Sequence, residues 1–124
     1  MSRMLVVDDD SSLAWIAKAA LARFGGHEVL TASSAREALD ALRARAFDAI
    51  LLDATMPGED GASLLATLRA DTALASVPVV MLTARTSASD RSGYASLGAC
   101  GVIPKPFDPR TLADQVAAFL GPHT

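Results

Sequence analysis

Three aspartates, a threonine and a lysine stand where phosphoryl chemistry can be built. Asp8 and Asp9 follow the apolar run Met4-Leu5-Val6-Val7, and Asp53 ends Ala49-Ile50-Leu51-Leu52. Thr83 ends Val79-Val80-Met81-Leu82, and Lys105 lies between Pro104 and Pro106. A short apolar run bounded by turn residues, here Pro57-Gly58, reads as a strand buried on both faces. Its last residue then sits at the carboxyl edge of a sheet, where open α/β folds place their chemistry. Asp8, Asp9 and Asp53 gathered there repel one another and raise each other's pKa unless a cation lies among them. Mg²⁺ meets that need, because it takes one or two carboxylates, a carbonyl and waters while keeping room for phosphate oxygens. An aspartate beside it can take up a phosphoryl group, a known form of covalent chemistry. Each residue also has a plainer reading: the acids as solvated loop residues or helix caps, Thr83 as a β-branched strand residue, Lys105 as a surface lysine.

The elements that must position these groups follow in order. Met4 to Val7 is a buried first strand. Ser11 or Ser12 can cap the next helix, whose apolar stripe runs Leu13, Ile16, Ala17, Ala20, Leu21 and Phe24, and Gly25-Gly26 ends it. Glu28 to Ala32 is a second, more polar strand suited to an edge. Ser34-Ala35-Arg36-Glu37 has the capping-box pattern, and its helix runs to about Arg45 with Ala38, Leu39 and Leu42 inward. Asp60-Gly61 leads into a third helix carrying Leu64, Leu65 and Leu68. Val77 to Thr83 is the fourth strand, with Pro78 at its entry. Ser87 to Asp90 opens a fourth helix, diluted by Ser92, Gly93, Tyr94 and Ser96. Val102-Ile103 is a short fifth strand. Asp108-Pro109 starts the last helix, which buries Leu112, Val116, Phe119 and Leu120 and stops at Gly121-Pro122. Five strands alternating with five helices, joined by right-handed crossovers, predict an α/β fold: a doubly wound parallel sheet covered on both faces.

Bulk properties narrow the function. The chain has 124 residues, 51% of them hydrophobic, enough for one domain (1–124) with a real core and too many for disorder. A scattered net charge of -3 gives no sign of direct nucleic-acid or membrane binding. The lone Cys100 excludes an internal disulfide and argues against a zinc site, and a reducing, cytoplasmic setting is expected. Neither His27 nor His123 sits in a metal-binding pattern. The first residues lack a signal-peptide pattern, and no run reaches the roughly 18 apolar residues of a spanning helix.

Taken together, Val6-Val7-Asp8-Asp9, Leu51-Leu52-Asp53 with Met56-Pro57 and Asp60-Gly61, Leu82-Thr83-Ala84, and Lys105-Pro106-Phe107 resemble the receiver domain of two-component response regulators. The resemblance covers essentially the whole chain. It implies a flavodoxin-like receiver fold with strand order 2-1-3-4-5. It implies that Asp53 accepts a phosphoryl group from a phosphohistidine on a histidine kinase or histidine phosphotransfer protein. Asp9 and Asp53, with the Thr55 backbone carbonyl, would bind Mg²⁺, and Asp8 would help through a water. Lys105 would neutralise a phosphoryl oxygen, and Thr83 would bond another through its hydroxyl and move on phosphorylation. The Lys105-Pro106 peptide would be cis. The chain would then be a signalling switch rather than an enzyme, apart from self-phosphotransfer and autodephosphorylation. Its helix 4–strand 5–helix 5 face would change shape for a downstream protein target or support a homodimer. Thr55 and Arg85 occupy positions that tune water access in the family, and helix 1, with Trp15, is where the family meets its phosphodonor.

The chain departs from the family pattern in two places. Val102 stands where an aromatic usually lies three residues before the lysine, so the usual threonine–aromatic coupling lacks its ring, and the signal would pass through residues 85–89 or helix 4 as a body. Pro104 stiffens the turn before Lys105. Other readings are a receiver excised from a larger regulator or hybrid kinase, and a degenerate receiver that acts by binding alone. A dehalogenase-type phosphatase would place a second aspartate where Thr55 stands. A flavodoxin-like electron carrier would need a hydroxyl- and glycine-rich loop where the acids Asp8 to Asp10 lie.

Overall fold

A computed structural model describes residues 2–56 and 61–120. The expected turn at Pro57-Gly58, the lead-in at Asp60, the stop at Gly121-Pro122 and His123 lie outside the described residues. Five parallel strands, β1 (Arg3–Val7), β2 (Glu28–Ala32), β3 (Ala49–Asp53), β4 (Val79–Thr83) and β5 (Gly101–Pro104), form one sheet in the order β2-β1-β3-β4-β5. They alternate with α1 (Ser11–Gly25), α2 (Ala35–Ala44), α3 (Gly61–Ala70), α4 (Ala88–Ser96) and α5 (Leu112–Leu120). The polar β2 is an edge strand, as its composition suggested. Among the described residues no helix is long and apolar enough to cross a membrane.

Alternation along the central strands feeds two cores. Leu5, Val7, Ile50, Leu52, Val79, Met81 and Val102 point to the side of α2 and α3, where Leu42, Leu64, Leu65 and Leu68 meet them. Met4, Val6, Leu51, Val80, Leu82 and Ile103 point to α1 and α5, against Leu21, Leu112 and Val116. Both faces of β3 and β4 are therefore covered, which is why these strands read as unbroken apolar runs.

Local chemistry sets the boundaries, with some differences from the sequence-based expectation. Asp10, not Ser11 or Ser12, caps α1, its Oδ1 accepting from Ser12 N at 3.0 Å and Leu13 N at 3.1 Å. Gly26 closes that helix at φ 68°. The α1 face against the sheet is Ala14, Ala17, Ala20 and Leu21, whereas Phe24 is 52% exposed. The stripe is thus turned from the predicted one: small residues let α1 sit close to the strands, and Leu13 and Ile16 are left half-buried at its margin. In α2, Ala35, Ala38 and Leu42 are buried and Leu39 only partly. The Ser34 hydroxyl accepts from Glu37 N at 3.1 Å, and the Glu37 carboxylate reaches back to Ser33 N at 2.9 Å, one residue earlier than an ordinary capping box. β4 begins at Val79 because the Val77 N–H closes a turn onto Leu74 O at 3.2 Å. In α5, Leu112, Ala113 and Val116 are buried, while Phe119 stays 37% exposed and lies over Gly101.

One close approach holds α3 to the end of β3. The Gly61 N–H donates to Ala54 O at 2.9 Å, and a methyl group at Gly61 would stand 2.4 Å from Asp53 O and 2.8 Å from Ala54 Cα. Both are backbone atoms that cannot swing away. Gly93, inside exposed α4, has open space where its Cβ would lie. Gly61→Ala is therefore expected to cost about 1–3 kcal/mol through overpacking. Gly93→Ala is expected to gain about 0.5–1 kcal/mol from helix propensity. Urea melts of the two variants beside wild type check the opposite signs.

Candidate functional site

The parallel register brings the predicted residues to one edge. Val7 pairs with Leu52, Asp53 with Leu82, and Thr83 with Pro104, so Asp8, Asp53, Thr83 and Lys105 emerge together at the carboxyl ends of β1, β3, β4 and β5. Asp8, Asp53 and Thr83 are the buried polar side chains among the described residues, each 2–3% exposed. Burying such groups is unfavourable unless they are partnered, so their concentration at one edge marks a site rather than a solvated loop.

Lys105 is the central cation. Its Nζ lies 2.9 Å from Asp53 Oδ1 and 3.8 Å from Asp8 Oδ2. Its own backbone is held, since Lys105 N donates to Thr83 O at 3.0 Å and the Lys105-Pro106 peptide is cis, as expected. Asp53 Oδ1 also accepts from Thr55 N at 3.1 Å. The Asp53 backbone is fixed by the sheet and, just beyond it, by Ala54 N donating to Leu82 O at 3.0 Å. The Thr83 hydroxyl accepts from Arg85 N at 2.9 Å, tying the start of the β4–α4 loop to the strand end.

The carboxylates of Asp8, Asp9 and Asp53 each present an oxygen within 4.8 Å of the others. Three negative charges face the single ammonium of Lys105, which leaves a local charge of about -2 when all are ionised. Asp8 Oδ1 accepts from Asp10 N at 2.9 Å, but the buried Asp8 Oδ2 has no hydrogen-bond partner among the described residues. An orphaned carboxylate oxygen, two neighbouring carboxylates and an uncompensated charge fit a hard divalent cation with oxygen ligands. Burial, reinforced by the Asp53 charge and opposed by the Asp10 N–H and Lys105, pushes Asp8 up to about 6.

Not every flagged residue joins the cluster. Arg85 is exposed and touches the site through its backbone N–H. Trp15 is 68% exposed, not core; it borders a hollow with Asp8, Lys18 and Ser33 beside the acids. Val102 is buried in the α2–α3 core, where the partly buried Tyr94 of α4 packs against the same cluster. The close seat of Gly61 on the Asp53 backbone escaped sequence reasoning. Its signals were a glycine at a helix start and its place in the family-like Asp60-Gly61 pair, neither of which names the contact.

The raised Asp8 makes a pH-dependent prediction for the metal-free protein. A carboxyl with a higher pKa folded than unfolded binds its proton more tightly when folded. Its ionised form therefore destabilises fully above about pH 6, and that penalty fades as pH falls toward 3.8. Asp8→Asn is expected to be more stable than wild type by about 1–2 kcal/mol at pH 7.5, with the difference vanishing near pH 4. Saturating Mg²⁺ should reverse the sign by stabilising only the wild type. Urea unfolding at several pH values, with chelator or Mg²⁺, checks this.

The sequence model of the response regulator receiver domain matches residues 4–117. A chemotaxis response regulator of Vibrio cholerae, CheY4, is 33% identical, with a TM-score of 0.88 over 96% of this chain and 98% of that one. A putative response regulator from Chloroflexus aurantiacus is 34% identical, with a TM-score of 0.86 over 96% and 97% of the two chains. A receiver domain of the Francisella response regulator 1452 is 30% identical, with a TM-score of 0.84 over 97% of each. With this match, this sheet order and this cluster at its edge, the chain belongs to the response regulator receiver domain family, the signalling switches of two-component systems.

Proposed function

We propose that the chain is a phosphorylation-activated switch in which Asp53 receives the phosphoryl group. One observation carries the reading: Asp53 is a buried carboxylate whose Oδ1 already rests on Lys105 Nζ at 2.9 Å, within a three-carboxylate cluster whose charge Lys105 only partly offsets. Among the described residues, the hydrogen bonds from Lys105 and Thr55 to Asp53 both fall on Oδ1. Oδ2 is then the oxygen offered to phosphorus. Transfer forms an Oδ2–P bond as the N–P bond of a phosphohistidine breaks, and the histidine leaves as imidazole. Asp8, Asp9, Asp53 and the Thr55 carbonyl would hold Mg²⁺, which when bound neutralises charge on the transferring phosphoryl oxygens. Lys105 stabilises one phosphoryl oxygen as a compact cation. The buried Thr83 hydroxyl, an acceptor for Arg85 N, still has its own proton to donate to another.

The phosphodonor is a histidine kinase or histidine phosphotransfer protein, as family membership implies. The exposed Trp15 at the acidic end of α1 supports docking there, since indoles are common anchors of interfaces. The output surface is α4, β5 and α5, because Thr83 connects through Arg85 N to the loop leading into α4. In this reading the domain is a stand-alone cytoplasmic switch whose output is a protein contact or homodimer.

Intact mass after treatment with acetyl phosphate and Mg²⁺ tests the assignment. A phosphoryl-sized gain is expected in wild type, lost on chelation and absent in Asp53→Ala. Lys105→Ala should slow its appearance about 10²-fold. Thr83→Ala should slow it about 2- to 10-fold, the effect of one hydrogen bond. An undiminished adduct in Asp53→Ala would overturn the assignment.

A further inference from the structure

α4 is held unequally at its two ends. It has no buried residue, and the half-buried Tyr94 is its inward contact. At the N-terminal end the hydrogen bonds among the described residues are local. Asp90 N donates to Ser87 Oγ at 3.1 Å, Arg91 N to Ser87 O at 3.0 Å, and Arg91 Nε to Thr86 O at 3.0 Å. At the C-terminal end the helix is tied to a different element. Arg69, in the last turn of α3, donates to Gly98 O through Nη2 at 2.9 Å and Nε at 3.3 Å. Its Nη1 donates to Ala75 O at 3.0 Å. Gly98 adopts φ 103°, and a Cβ there would stand 2.7 Å from Arg69 Nε and 3.1 Å from its Cδ and Cγ. A glycine is thus required twice over, for the backbone turn and for the arginine stem beneath it. The guanidinium also brings positive charge to the carbonyl end of α4, the favourable end for a cation.

We propose that Arg69 is the hinge pin of α4: it anchors the helix at Gly98, so that the helix moves by swinging its Ser87 end about that point. The proposal rests on the switch reading for its purpose. With Val102 rather than a ring three residues before Lys105, displacement starting at Thr83 and Arg85 enters α4 at its loosely held end, and a fixed far end turns it into rotation. The arginine fork bridges Gly98 O and Ala75 O through separate nitrogens of one rigid plane. A lysine has three N–H donors but on a single nitrogen without the planar fork, so it would hold the two carbonyls less firmly.

Amide hydrogen exchange of the whole chain, without phosphodonor, tests the pin. In Arg69→Met, which keeps the apolar stem, the Leu97, Gly98 and Ala99 amides should exchange at least tenfold faster, with Arg91, Ser92 and the β3 and β4 amides unchanged. Gly98→Ala, which expels the stem, should give the same pattern, and Arg69→Lys an intermediate one. Unchanged exchange at residues 97–99, or acceleration spread over the whole helix, would overturn the anchor. Adding beryllofluoride with Mg²⁺ to wild type should then alter exchange at residues 85–92 and spare 97–99. An equal change at both ends would overturn the swing. Binding of the mimic is read separately by fluorine NMR, so absence of binding counts against the switch reading while the exchange comparison still judges the pin.

Discussion

Lys105 lying between Asp53 and Asp8 is the interaction on which the rest depends. Two carboxylates, each nearly stripped of water, face one ammonium at 2.9 and 3.8 Å, with the exposed Asp9 beside them. Left alone, such an arrangement carries excess negative charge on two carboxylates that water reaches poorly. The fold nonetheless holds the groups together, because each sits at the end of a strand whose remaining side chains fill the cores. The apolar runs stabilise the sheet, and the sheet holds the repulsion in place. A site under electrostatic tension of this kind is poised to accept cations and to be reorganised by a new anionic group.

Much of this arrangement was legible in the sequence, for a physical reason. A strand buried on both faces cannot vary its pattern, so Ile50-Leu51-Leu52 and Val79 to Leu82 declare themselves, and the polar residues that end them stand out. Caps were readable where a side chain binds its own neighbourhood, as Ser34 and Ser87 do. Helix facing was less legible. In α1, alanine fits equally well in a core and on a surface, so a stripe chosen for bulk pointed to Phe24 and missed Ala14. The same bias placed Phe119 inside α5, where Ala113 lies instead.

Contacts between distant elements left almost no trace. The seat of Gly61 on the Asp53 backbone and the reach of Arg69 to Gly98 depend on how α3 lies against β3 and α4, which no local pattern encodes. The depth difference between Asp8 and Asp9 is of the same type: adjacent residues of one chemistry, one turned under the sheet edge and one turned out.

The lightly packed inner face of α4, where Tyr94 alone among its residues joins the hydrophobic core and is only partly buried, has a consequence for which substitutions the domain tolerates. A helix that contributes no buried side chain can exchange nearly all of its residues at little expense in stability, because surface substitutions away from caps and packing usually shift it by no more than about 0.5 kcal/mol. Ser87, Arg91, Tyr94 and Gly98 are among the positions that hold it. The exposed positions between them can change with little effect on whether the domain folds, so the outer surface of α4 is separable from the stability of the core.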